Sequence, residues 1–274
     1  MPSSTAGQPL AGPPHPDEQP SAAFGELADP YLRYSELKRP RIQRYLTANL
    51  TERLAERPDG RLDRQPDGQL SDSGKRALGT GLDLGCGSGR FTGLLAECCQ
   101  RVVAIDAAQG QLDKAQQHHP FPNVEYRLAD LMKLDPGEQR FDVVLTVNTL
   151  FHTYASHEPA VVLQHVADLI APGGLLVIVD VVAPPTHSAL RQRLRGFLDA
   201  GKILQETRSP SDAWFVLRFR QSKGWMRHVH DNLPLSHQAF EATCRQVFRN
   251  EGSFTWPITT GDPYQAGFTW HRPR

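Results

Sequence analysis

Three glycines alternate in the segment LDLGCGSGR, residues 82–90, at Gly85, Gly87 and Gly89, and an aspartate, Asp83, stands two residues before the first. Glycine at this density lets backbone press against a ligand, because no Cβ holds it away. A Walker-type phosphate loop needs four residues between its glycines and then Gly-Lys-Ser/Thr. Arg90 and Phe91 follow Gly89 here, so that chemistry fails. A dinucleotide fingerprint needs Gly-x-Gly-x-x-Gly. The third glycine comes one residue early, and Asp83 fills a place that is apolar in that fingerprint. A carboxylate at a buried strand end is costly unless a cation meets it. It repels a pyrophosphate and suits a ligand with an ammonium group.

The elements around the run must place it at the edge of a sheet. From about Leu78, apolar strands alternate with amphipathic helices: LGTGLDL, RVVAID, NVEYRLAD, FDVVLTVN and LLVIVDVV read as strands. SGRFTGLLAECCQ, AQGQLDKAQQHH and HEPAVVLQHVADLI read as helices between them. Such alternation predicts an α/β fold with a parallel sheet buried on both faces. Right-handed crossovers put every strand's C-terminal end on one edge, where ligands bind. Upstream, Pro40 fits a first helical turn, and Ile42, Tyr45, Leu46, Leu50 and Leu54 recur at helical spacing. After Pro185 the alternation lapses into irregular helix. LSHQAFEATCRQVF reads as a helix with Ser236 as N-cap, and GSFTWPI and AGFTWHRP read as two strands around TTGDP.

Composition narrows the classes. The 274 residues carry 30 basic and 30 acidic side chains, so no global field favours nucleic acid. The Pro-, Gly- and Ser-rich stretch 1–23 is expected to be a disordered tail without the features of a secretory signal. Residues 57–76, with RPDGRL and QPDGQL in tandem, are expected to form a mobile loop. No apolar run reaches the ~18 residues of a membrane span. The four cysteines, Cys86, Cys98, Cys99 and Cys244, form no C-x-x-C pair. They read as buried thiols of a cytoplasmic protein, with Cys98 and Cys99 on one helix.

The segment 82–90 resembles the first signature of the class I S-adenosylmethionine-dependent methyltransferases, Asp-x-Gly-x-Gly-x-Gly, and later stations follow in order. VVAID ends a strand at Asp106, RLAD ends one at Asp130, FDVVLTVN ends at Asn148, and APGGLLVIVD matches the turn into strand five. The resemblance covers residues 78–182 and the terminal hairpin. It implies a Rossmann-like, seven-stranded, mostly parallel sheet with an antiparallel C-terminal hairpin strand, flanked by helices. It implies one methyltransferase domain over 24–274, with 186–235 as a helical cap insertion.

It also implies S-adenosyl-L-methionine as cofactor and a set of contacts. Asp83, Gly85, Cys86, Gly87 and Gly89 would meet the amino-acid tail. Asp106 would accept the ribose hydroxyls, since a carboxylate has two oxygens for a vicinal diol. Ala107 would lie against adenine, Asp130 and the backbone of Leu131 would meet its edge, and Asn148 would stand beside the sulfonium. Tyr34, on a helix folded over the methionine end, would complete the set.

The acceptor side is less defined. The prolines of the nucleic-acid amino methylases are missing after Asn148, and the acid of the metal-dependent catechol type is missing too, so no metal is expected. NTLFHTY looks like the loop of the small-molecule branch related to quinone-biosynthesis methyltransferases, which makes His152 a candidate base. His228 and His230, beside Trp225 and Asp231, are candidates in the cap, because an imidazole suits proton abstraction near neutrality. Residues 186–230 carry nine basic and three acidic side chains, which suits an anionic acceptor. The expected partner is a small-molecule methyl acceptor, with no nucleic acid and no membrane span. RNA or protein methylation, and non-methylating sulfonium chemistry such as a cyclisation, stay open as alternatives.

Overall fold

The computed structural model describes residues 28–55, 78–137, 139–154, 156–183, 189–231, 235–258 and 263–274. The predicted tail 1–23 and loop 57–76 lie outside them. The elements in chain order are α1 (Ala28–Ala55), β1 (Leu78–Leu84), α2 (Thr92–Cys98), β2 (Cys99–Asp106), α3 (Gln109–His118), β3 (Val124–Leu128), β4 (Phe141–Val147), α4 (Leu150–Thr153), α5 (Pro159–Asp168) and β5 (Ile170–Val181). Then follow α6 (Ala189–Thr207), α7 (Pro210–Gln221), α8 (Lys223–Asp231), α9 (His237–Val247), β6 (Ser253–Thr255) and β7 (Gln265–His271).

The strands form one sheet in the order β3-β2-β1-β4-β5-β7-β6. β1 to β5 pair in parallel, and β7 runs antiparallel to both β5 and β6. The predicted seven-stranded sheet with its C-terminal hairpin is therefore present. Its strands read as continuous apolar runs because both faces are covered. Leu82, Leu84, Val103, Ile105, Val144, Leu176 and Ile178 pack against α5 and α9. Their neighbours in the alternation, among them Val102, Val143, Leu145, Val177 and Val179, pack with Ile42, Leu46 and Leu50 of α1. Each fully buried leucine or valine contributes about 1.5–3 kcal/mol.

Two local expectations are corrected. Pro40 lies inside α1, twelve residues beyond its start, and does not open a helix. An interior proline costs about 3 kcal/mol. Burial of Tyr34 before it and of Ile42, Leu46 and Leu50 after it offsets that cost. Cys98 and Cys99 do not share a helix: Cys98 ends α2, and Cys99 opens β2 by pairing with Leu78. Both are buried free thiols, as are Cys86 and Cys244.

The insertion after β5 consists of α6, α7 and α8. It packs Ala200, Ile203, Val216, Phe219 and Trp225 against Tyr34 of α1, Phe151 of α4 and Tyr264. The inserted helices and the N-terminal helix thus meet above the ends of β4 and β5. Ser236 caps α9 as predicted, its hydroxyl accepting from the Ala239 amide at 3.1 Å.

Candidate active site

The glycine run turns from β1 towards α2 with all three glycines at positive φ: 75° at Gly85, 54° at Gly87 and 79° at Gly89. They are glycine for different reasons. A Cβ on Gly85 would collide with the side chain of Thr149, and one on Gly89 would press on His119 at 3.1 Å and Ala115 at 3.2 Å. A Cβ on Gly87 would meet nothing within 4 Å. Two of the glycines therefore serve packing inside the protein, and Gly87 fronts open space. Thr149 also donates to the Gly85 carbonyl at 3.2 Å, which fixes the loop to the end of β4.

Asp83 is buried behind this loop and accepts a 2.6 Å hydrogen bond from the Thr92 hydroxyl. Burial pushes its carboxyl up to about 7, and the Asp106 charge adds to the rise, against the opposing bond from Thr92. A carboxyl in this state gains most from a cation brought beside it. Thr92 lies in the first turn of α2, and no fixed spacing in the sequence marks it.

Asp106 closes the loop from the other side. Its Oδ2 accepts from the Gly87 amide and its Oδ1 from the Ala108 amide, each at 2.9 Å. Each carboxylate oxygen has two acceptor positions, so a diol can bond the same group while the loop stays tied. Ala107 beside it is exposed. Asp130 is exposed as well. Its Oδ1 accepts from the Met132 amide at 3.0 Å, holding the short turn Leu131–Lys133. Leu131 has its side chain in the core, so only its backbone is available at the edge. Cys86 is buried against Ala104 and Leu112 and packs the loop. Burial drives its thiol far above the ordinary range, so it stays protonated.

Asn148, at φ 54°, ends β4, and its side-chain oxygen accepts from Gln265 Nε2 at 3.1 Å. Both residues line a cavity with Tyr34, Ser35, Lys38, Ile42, Val181, Trp225 and Tyr264. The cavity is joined to the glycine loop through α1. Glu36 pairs with Arg90 at 2.8 Å, and Arg39 donates to the Arg90 carbonyl at 3.0 Å. Its floor is thus the end of β4, and its walls are α1, α8 and the start of β7. The sequence alone gives no role to Thr92, Lys38, Thr149 and Gln265, which reach the site from other elements, or to Arg90 at the end of the glycine run itself.

Tyr34 is in the cavity wall, and its hydroxyl is engaged with the cap. It donates to Asp199 Oδ2 at 2.7 Å, and Arg220 Nη1 donates to both the Tyr34 hydroxyl at 2.7 Å and Asp199 Oδ2 at 2.8 Å. Arg41 pairs with Asp199 at 3.2 Å and with Glu206 at 2.8 Å. Burial alone would raise the Asp199 carboxyl. Arg220, Lys38, Tyr34 and Arg41 outweigh it and hold the group below the usual range. Tyr34, expected beside the cofactor, lines the cavity, and its hydroxyl clasps α1 to α6 and α7.

His152 lies on α4 as an exposed side chain, its ring 3.8 Å from that of Phe151. The side chains of His228 and His230 lie outside the described residues. A further acid, Asp180 near the end of β5, is fully buried. Its Oδ1 accepts from the Val181 amide at 2.9 Å, and its Oδ2, like the Tyr154 hydroxyl, has no hydrogen-bond partner among the described residues. Among those residues no three His, Cys, Asp or Glu side chains gather as a metal cage.

Residues 82–174 match the family model of a methyltransferase domain. Among curated proteins, the chain is similar to a ubiquinone biosynthesis O-methyltransferase of Ruegeria pomeroyi, 32% identical over 111 residues, which cover 40% of this chain and 44% of that protein. It is similar to the trans-aconitate 2-methyltransferase of Agrobacterium fabrum, 30% identical over 165 residues, covering 57% of this chain and 62% of the relative. The chain thus spans about half the length of the curated relatives it matches. Among solved structures, the plantazolicin methyltransferase BpumL, in complex with a triazolic desmethylPZN analog and SAH, shares the fold. Its TM-score is 0.52 at 12% identity, over 93% of this chain and 95% of that one.

Proposed function

We propose that this chain, whose residues 82–174 match the model of a methyltransferase domain, binds S-adenosyl-L-methionine and methylates a small molecule at oxygen, nitrogen or carbon. The observation that carries the reading is the cradle made by Gly87 and Asp106. An open-faced glycine is tied to a carboxylate that keeps acceptor capacity on both oxygens. Asp83 adds a buried acid suited to an ammonium tail. Bound there, the cofactor supplies a methyl group already activated on a sulfonium.

The protein's part is then alignment and exclusion of water. Asp106 holds the ribose hydroxyls and keeps the loop closed on them. Asp83 holds the ammonium. Asn148, itself oriented by Gln265, lines the cavity that receives the acceptor. Tyr34, Trp225 and Tyr264 give that cavity an aromatic wall, and Lys38 gives it a cation. An acceptor with a flat apolar body and an anionic or hydrogen-bonding end fits this lining. The trans-aconitate in one relative's name is a small anionic molecule, for which the cation of this lining is suited. His152 is the residue we assign to proton removal where the acceptor requires it, with His228 and His230 as its counterparts on the cap.

Calorimetry with S-adenosyl-L-methionine and its demethylated product tests the first half. Binding that weakens at least about tenfold on Asp106→Ala is expected; no heat with either compound would sink the reading. A metabolite panel followed by release of S-adenosylhomocysteine tests the second half.

A further inference from the structure

Helix α6 has two apolar faces. The inner one, Ala200 and Ile203, is buried in the cluster with Tyr34 and Trp225. The outer one is Leu190, Leu194, Phe197, Leu198 and Leu204, with 68, 55, 57, 62 and 42% of their surface exposed. Their spacing of four, three, one and six residues puts them on one side of the helix. An ordinary surface helix turns charge to water on that side. Here the charges stand at the borders: Arg193 is exposed and Arg195 and Lys202 are half-buried along the flanks. Trp214 of the adjoining α7 is 62% exposed as well.

We propose that the outer face of α6 docks on an anionic lipid bilayer, with its leucines and Phe197 seated at the headgroup–acyl boundary. An apolar stripe bordered by basic side chains is the pattern of a helix lying in that interface, where arginine and lysine stems follow the apolar surface and their heads reach phosphate. The charge of the helix selects this occupant over a second copy of the chain. Both acids of α6 already have partners within the protein, buried Asp199 with Arg220 and Arg41, and exposed Glu206 with Arg41 and Arg44. Two such helices facing each other would bring arginines together with no carboxylate to pair them. A surface of anionic headgroups answers the same charges. The attachment is peripheral, since no described helix is long and apolar enough to cross a membrane. It sets the cap, whose α8 carries Trp225 into the cavity wall, against the bilayer, so an acceptor with an apolar body would enter from the lipid side.

Vesicle co-sedimentation of the full chain tests this without turnover, so its outcome is independent of the methyl-transfer reading. Vesicles of phosphatidylcholine with roughly a third phosphatidylglycerol should carry the protein down, and pure phosphatidylcholine should do so several-fold less. Leu194→Ser with Phe197→Ser should weaken partition at least about tenfold with an unchanged melting curve, since both side chains are exposed. Arg193→Gln, which leaves the stripe intact, should weaken binding to the anionic vesicles and flatten its salt dependence. Equal binding to both vesicle types, no binding to either, or a dimer that Phe197→Ser converts to monomer each overturns the proposal.

Discussion

The phenol of Tyr34 in α1 donates to Asp199 in α6 at 2.7 Å, across 165 residues of chain. Arg220 completes the contact from α7, so one carboxylate joins the N-terminal helix to both long helices of the cap. Removing one partner of such a buried group is worse than removing the whole group, because the remaining charges stay in the interior. Asp199→Ala leaves Arg220 in that state, while Arg41 keeps Glu206, and should cost about 3–5 kcal/mol in urea unfolding. Tyr34→Phe removes two hydrogen bonds, the one donated to Asp199 and the one accepted from Arg220, and should cost about 1.5–3 kcal/mol. A smaller loss for Asp199→Ala than for Tyr34→Phe contradicts the assignment.

The glycines of the loop should separate under substitution. Gly85→Ala meets Thr149 and strains a positive φ, so the protein should unfold early or express poorly. Thr149→Gly in the same chain should recover part of that loss. Gly87→Ala has room for its methyl and carries only the backbone penalty of about 1–2 kcal/mol. It should keep the fold and lose cofactor affinity. Thermal melting and calorimetry on the three variants distinguish these outcomes.

Asp83 predicts the pH dependence of cofactor binding. Its carboxyl sits at about 7 in the free protein, chiefly through burial. An ammonium ligand favours the ionised form, so binding draws the proton off. Below 7 the proton must first be lost, and affinity should fall by about fivefold from pH 7 to 6, approaching tenfold per unit below that. Between pH 6 and 7 the ligand's own α-amino group stays charged, so the slope reports the protein. Asp83→Asn should bind more weakly and without this slope. Calorimetry across that range checks both, and a flat profile in the parent protein removes Asp83 from the cation site.

Asp180 predicts a trend in stability. Burial raises its carboxyl to about 8, against the amides of Val181 and Phe151. In the unfolded chain the same group ionises near 3.9, an ordinary value. Between about 4 and 8 the folded state therefore holds more protons, and stability falls as pH rises, by at most about 1.4 kcal/mol per unit. Below the window the term vanishes, and above it the penalty is constant. Asp180→Asn should remove this decline while leaving the acid side of the profile unchanged, as read by urea unfolding at fixed pH values.

The sheet was legible because its strands are apolar throughout, and only a sheet covered on both faces explains that. Strand order at the C-terminal hairpin followed from the resemblance, since Phe268 and Trp270 alone mark a strand without a neighbour. The glycine loop was legible as a ligand site, yet its parts were not. That Gly85 answers to Thr149 and Gly87 to open space is decided by a contact between residues 64 apart. The course of α1 through Pro40 was hidden for the same reason: propensity breaks the helix there, and burial on both sides of the proline restores it. The burial of Lys38, Arg41, Asp199 and Arg220 was not legible, because burial of an ion is visible only when its partner is.

The clasp of Tyr34, Arg41, Asp199 and Arg220 also imposes an order on the life of the chain. On a ribosome α1 emerges early, and its partner Arg220 follows 186 residues later than Tyr34. Until Asp199 follows Tyr34 by 165 residues, the front helix holds a phenol and a guanidinium whose acid is not yet made. The sheet can begin to pair strand by strand in the meantime. The clasp therefore closes only after β1 to β5 have been made, and a product stalled before Arg220 would leave the Tyr34 end of α1 without its cap partners while Ile42, Leu46 and Leu50 still pack on the strands.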